Sequence, residues 1–133
     1  MHAIKSNLLI IFKSSSGYIF GGYSPCSWHQ SKGFVQDDTL SSFLFSQTHN
    51  QIYPLKQDKK QYAIWCGQSY GPCFGNNGNG QHDIVVCDDF QRGYSLLGSA
   101  YLWDKYEDKR SSHLYGQESP NLTECEIFEL QFS

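Results

Sequence analysis

The sequence predicts a mostly-β sandwich, and three observations carry that prediction. Apolar runs of strand length recur along the chain, each bounded by Gly, Pro, Asn or Ser clusters. The turns leave little room for long helices. Aromatic residues make up 16% of the 133 residues and charged residues only 17%, a balance that suits a core built on Phe and Tyr rather than a disordered chain. One domain spanning 1–133 is expected, long enough to bury roughly two thirds of its unfolded surface.

Leu8–Phe12 is the longest purely apolar run and reads as a strand buried on both faces. Ser14-Ser15-Ser16-Gly17 is a turn cluster, and Tyr18–Tyr23 returns as the second strand of a hairpin. Gly21 and Gly22 inside that strand mark a bulge or a place where another backbone approaches closely. Pro25 ends the strand, and the stretch to Trp28 suits a turn. Ser31–Thr39 reads as a loop. Phe43-Leu44-Phe45 is a compact strand, and Gln51–Lys56, with Pro54, reads as an edge strand. Tyr62–Cys66 and Asp83–Cys87 are further strands, with a Gly/Asn loop between them, and Tyr94–Tyr101 holds one more. Trp103–Arg110 reads as a loop or short helix and His113–Ser119 as a polar connection. Cys125–Phe132 is a terminal strand whose apolar parity switches between Ile127 and Phe128, which implies a bulge or cover on both faces.

Charge excludes some functions. The formal net charge is −3, and the cationic pairs Lys59-Lys60 and Lys109-Arg110 lie beside acidic residues, so a basic stripe for nucleic acid is missing. The Leu8–Phe12 run is too short to span a bilayer or to serve as a secretory signal, and a cytoplasmic location without membrane insertion is expected. The five cysteines, Cys26, Cys66, Cys73, Cys87 and Cys125, include no Cys-x-x-Cys and read as thiols in a reducing compartment.

The stretch from Ser69 to Ile84 is the obvious place for chemistry. Gly75-Asn76-Asn77-Gly78-Asn79-Gly80 looks like a phosphate cradle, but Gln81 and His82 stand where such a loop needs a lysine and a hydroxyl. No helix follows to present its N-terminus to an anion. A strand-joining loop that uses Gly and Asn for positive φ is the better reading. His82-Asp83 suggests an oriented general base, yet neighbours on a strand point to opposite faces. The scattered His and Cys residues lack metal-ligand spacing, so neither metal nor cofactor is expected. Glu124 and Glu126 share a strand face and suit a solvated edge better than a glycosidase pair. Trp28, Trp65 and Trp103 fit a core better than a sugar-stacking platform.

Four pieces in order resemble one family. They are Ile19-Phe20-Gly21-Gly22-Tyr23-Ser24 with Trp28; Asp38 with Ser42-Phe43-Leu44-Phe45-Ser46; Tyr62-Ala63-Ile64 with Ser69-Tyr70-Gly71-Pro72, Phe74-Gly75 and His82-Asp83-Ile84; and Glu124-Cys125-Glu126-Ile127-Phe128. Together, over about residues 8–130, they resemble the TLDc domain of the oxidation-resistance proteins. The resemblance implies a two-sheet antiparallel β-sandwich with a few short helices. It also implies a non-catalytic protein-interaction module, linked in relatives to oxidative-stress resistance and to binding the vacuolar proton-pumping ATPase. Gly21, Gly22, Trp28, Tyr70, Gly71, Pro72, Phe74, Gly75, His82 and Asp83 are its fold signature, and Glu124, Glu126, Asn77 and Asn79 are the candidate partner-binding residues. Three departures from the family pattern stand out. Asn76, Asn77, Asn79 and Gln81 lengthen and polarise a loop that is usually a compact run of glycines. Cys125 replaces an apolar residue between the two glutamates, and the usual helical segment ahead of the first strand is expected to be lacking. A carbohydrate-binding sandwich stacking sugars on Trp28 or Trp103, or a hydrolase using His82 with Asp83 or Glu126, are the alternatives.

Overall fold

The computed structural model describes residues 6–27, 33–66, 70–87, 89–103 and 112–131. Within them the chain forms two five-stranded antiparallel sheets packed face to face. The first sheet contains β1 (Leu8–Ser14), β2 (Ile19–Ser24), β4 (Phe43–Ser46), β5 (Gln51–Pro54) and β10 (Leu122–Glu129), in the order β10-β1-β2-β4-β5. The second contains β3 (Gly33–Val35), β6 (Ile64–Cys66), β7 (Tyr70–Phe74), β8 (Ile84–Cys87) and β9 (Gly93–Tyr94), in sequence order. A 3-10 segment, Gln57–Tyr62, precedes β6, and a single helical turn, α1 (Ser112–Tyr115), precedes β10.

The β1–β2 hairpin forms as its turn residues dictate, with Gly17 at φ +90°. β1 is central, but it is not buried on both faces. Leu8, Ile10, Phe12 and Ser14 point into the core, while Leu9, Ile11 and Lys13 stay half-buried on the outer face. The core joins Leu8, Ile10, Phe12, Phe20, Leu44 and Tyr53 of the first sheet to Ile64, Phe74, Ile84 and Val86 of the second. At about 25 cal/mol per Å² of apolar surface, such side chains contribute roughly 1.5–3 kcal/mol each.

Gly22 faces the second sheet across the core, against Phe74. A Cβ there would lie 2.7 Å from Leu44 Cδ2 and 2.8 Å from Phe74 Cζ. The register of β2 against β1 and β4 runs unbroken through Gly21 and Gly22, so close approach, not a bulge, explains the pair.

Several elements differ from the sequence expectation. β3 forms within the stretch read as loop, because Gly33, Phe34 and Val35 pair with Cys66, Trp65 and Ile64. Residues Tyr70–Phe74 form a strand between β6 and β8 rather than part of a loop. Pro72 is tolerated there because the register against β8 shifts between Tyr70 and Cys73. The 94–101 stretch contributes only Tyr94, the second residue of β9, and a bridge from Tyr101 to Leu55. The supposed polar connection opens with α1, whose Leu114 and Tyr115 are fully buried. Tyr115 stacks near Phe20 (centroids 5.0 Å apart), and its hydroxyl lies 2.7 Å from Tyr94 O. The terminal strand begins earlier than expected, and its parity switch is explained by neither cover nor a bulge at that point, since Ile127 is 56% and Phe128 43% exposed. Trp28 and the 104–110 stretch lie outside the described residues.

Candidate functional site

The chain between β7 and β8 turns through Gly75, Gly78 and Gly80, all at positive φ (+79°, +91° and +84°). The asparagines do a different job from the one expected, since none of them takes positive φ. Asn76 Oδ1 accepts from Gly78 N (2.6 Å) and Asn77 Oδ1 from Asn79 N (2.7 Å), a pair of Asx turns. Asn77 N donates to Gln81 O (3.0 Å) and Asn77 Nδ2 to Gln81 Oε1 (2.6 Å), closing the loop on itself. Asn76 is buried, Asn77 half-buried and Asn79 exposed. These donors and acceptors satisfy each other rather than converging on an anion.

His82 and Asp83 precede β8, and their side chains engage different partners. His82 Nδ1 donates to Gly75 O (2.6 Å), and burial lowers its pKa against the opposing pull of that bond. The imidazole lies in an aromatic layer on the outer face of the second sheet, with Phe34, Trp65 and Tyr94 at centroid distances of 6.2, 6.3 and 6.4 Å. Phe34 also meets Trp65 edge-on at 4.6 Å and Tyr62 at 5.0 Å. Phe34 is 39% exposed. Cross-strand register places Cys73 and Val85 on this same face, where both are buried.

Asp83 has no accessible surface. Its Oδ1 accepts from Ala100 N (2.8 Å), and its Oδ2 accepts from Gly98 N (3.0 Å) and Tyr101 N (3.2 Å). Burial pushes its carboxyl up to about 7, against the lowering effect of those N–H groups and of Lys56. Lys56 Nζ donates to Gly98 O (2.6 Å) from the same segment. A side chain at Gly75 would collide with the Asp83 carboxylate. The Gly75–Asp83 pair therefore clamps the 98–101 segment onto the second sheet. The nearby Tyr101 hydroxyl completes the tie by donating to Ala63 O (2.7 Å).

The two predicted halves of a partner surface fall on different sheets. Asn77 and Asn79 lie on the loop of the second sheet. Glu124 and Glu126 are exposed on the outer face of β10, opposite Lys13 and Ile11 of β1. His82 and Glu126 thus occupy outer faces of different sheets and cannot share a substrate, and Asp83 is committed to backbone N–H groups. Trp103 is half-buried and packs on His113 with centroids 4.5 Å apart. Among the described residues no group of three or more His, Cys, Asp or Glu is placed to hold a metal ion. None of the described helices is long and apolar enough to cross a membrane.

Sequence reasoning missed the buried Asp37, whose carboxylate accepts from Thr39 N and from Ser42 N and Oγ (3.0, 2.8 and 2.7 Å). Burial raises its pKa, but the bonds from Thr39 and Ser42 outweigh it and hold the group low. The Asp37-Asp38-Thr39 turn was a legible signal. Also missed was the pair His49 and His113, stacked at 4.2 Å with rings 5° from parallel. Nothing local in the sequence brings residues 64 positions apart together.

A family model described as the TLDc domain matches residues 1–131. Among curated proteins, none matches the chain.

Proposed function

Because the chain belongs to the TLDc domain family, we propose that it acts as a non-catalytic protein-interaction domain. In this reading it serves resistance to oxidative stress through regulation of the vacuolar proton-pumping ATPase, on the cytoplasmic side. One observation supports this above the others. The polar groups that suggested catalysis are consumed by the fold: Asp83 holds three backbone N–H groups and His82 is bonded to Gly75 O. The exposed functional groups lie instead on an outer strand, as an interaction domain requires.

The test is association of the purified chain with the purified vacuolar ATPase, read by co-sedimentation and by the pump's ATP hydrolysis. Stoichiometric binding with altered hydrolysis supports the reading. Absence of both at micromolar concentration overturns the pump assignment.

The aromatic layer favours a second reading, sugar stacking on Phe34 and Trp65, at a position other than the Trp28 or Trp103 first considered. Saturable quenching of tryptophan fluorescence by a soluble glycan, abolished by Phe34→Ala, would displace the first reading.

A further inference from the structure

We propose that the outer edge of β10 is a strand-addition site for an extended segment of a partner protein, with basic residues at alternate positions and apolar residues between. This deepens the interaction-domain reading and rests on it.

Among the described residues β10 pairs with β1 alone, at the end of the first sheet. It is eight residues long, whereas the other sheet edges are short: β5 has four residues and ends in Pro54, β3 has three and β9 two. Short edges and prolines discourage strand addition, and β10 carries neither device.

The phase of the ladder says which backbone groups look outward. Leu130 N donates to Asn7 O (2.9 Å). In an antiparallel pair hydrogen-bonded and non-bonded positions alternate, so Glu124, Glu126 and Phe128 bond β1. Cys125 and Ile127 then direct their N–H and C=O groups away from it. Leu122 N is taken by Phe90 O (2.7 Å), so among the described residues the stretch not paired to another strand begins beyond that residue.

Side chains add a chemical signature. Glu124, Glu126 and Phe128 share the outer face, beside Lys13, Ile11 and Leu9 of β1. Cys125 and Ile127 share the inner face, beside Phe12 and Ile10. Cys125 packs on the core, but Ile127 extends past it and is 56% exposed. An added strand would cover Ile127 and Phe128, one on each face, and set its own alternate residues against Glu124 and Glu126. Cross-strand pairs of opposite charge are favourable and like pairs unfavourable. Leu122–Glu129 holds three glutamates and no basic residue, so pairing of β10 with its own copy sets acid near acid. Charge complementarity thus selects a basic partner strand over a second copy of this chain.

The probe is a pair of blocked seven-residue peptides with lysine at two alternate positions, leucine at the third and valine between, one in each chain direction. They are titrated into the 15N-labelled chain. One of the two should bind saturably, shift the amides of Cys125 and Ile127 and slow their hydrogen exchange. Affinity should fall as salt rises and drop at least tenfold with Glu124→Lys/Glu126→Lys. A version with glutamate replacing lysine should not bind. Ile127→Pro, which deletes an outward N–H while sparing the ladder to β1, is a second variant that weakens peptide binding without changing charge. Failure of both peptides at millimolar concentration, shifts confined to other strands, or a β10-paired dimer in sedimentation would overturn the inference. Vacuolar ATPase binding that survives Glu124→Lys/Glu126→Lys while the peptides fail would sink the strand-addition site and leave the interaction-domain reading standing.

Discussion

The 75–83 loop with its anchor, Asp83, and the β10 edge place acidic side chains in opposite circumstances. Asp83 is fully buried and holds three backbone N–H groups. Glu124 and Glu126 are exposed on an outer strand. Both belong to the short stretches by which the chain resembles its family, yet one carboxylate works entirely inward and the others face out. A signature residue can therefore serve the architecture alone. Burial and hydrogen bonding, not residue type, tell the two apart.

Gly75→Val should have the largest effect. It combines a strained φ of +79° with a side chain driven into the Asp83 carboxylate, and overpacking plus backbone strain costs about 3 kcal/mol or more. Chemical denaturation measures this, and a loss under about 1 kcal/mol would show that the clamp yields easily. Asp83→Asn should follow. Its Nδ2 group would face backbone N–H donors and leave one or two of them without an acceptor, for a loss of about 1–3 kcal/mol. A neutral result would mean that the 98–101 segment is held by other contacts.

Titration sharpens the comparison. Asp83 has a folded pKa of about 7 against 3.8 for an ordinary aspartate. Between those values the unfolded chain has released a proton that the native state keeps. The stability linked to Asp83 should therefore fall as pH rises from about 4 to about 7. His82 acts in the other direction. Its folded pKa is lowered from 6.5, so acidification below that value favours the unfolded chain, which binds the proton. Denaturation midpoints across this range for His82→Gln should isolate the Asp83 slope, and a flat profile would contradict it.

The smallest effect is expected on β10. Burial and the Glu126 charge raise the pKa of the Cys125 thiol. Glu126→Gln should leave stability within about 0.5 kcal/mol and speed alkylation of Cys125 near neutral pH, because thiolate is the reacting form. Unchanged alkylation would mean that Glu126 exerts no field at the thiol.

Much of this architecture was legible locally. The apolar runs at Leu8–Phe12, Phe43–Phe45 and Asp83–Cys87 and the Gly17 and Pro25 punctuation placed strands and turns, because period and turn chemistry are properties of neighbouring residues. His82 and Asp83 do engage different partners, but both precede β8, so strand alternation is not the reason. The Gly21-Gly22 pair announced either a bulge or a close backbone approach, not that the Leu44 and Phe74 side chains would lie against Gly22.

Other features depended on distant partners. β3 exists because β6 offers it a ladder, and α1 is held by burying Leu114 and Tyr115 in a core whose members reach back to Leu8. Pro72 sits inside a strand because a register shift spares the missing N–H. The sequence by itself determined a β-rich chain with the pattern of its family. Tertiary structure alone decided which acids are buried and which face solvent, since burial depends on what the rest of the chain places above each residue, and no local pattern contains that information.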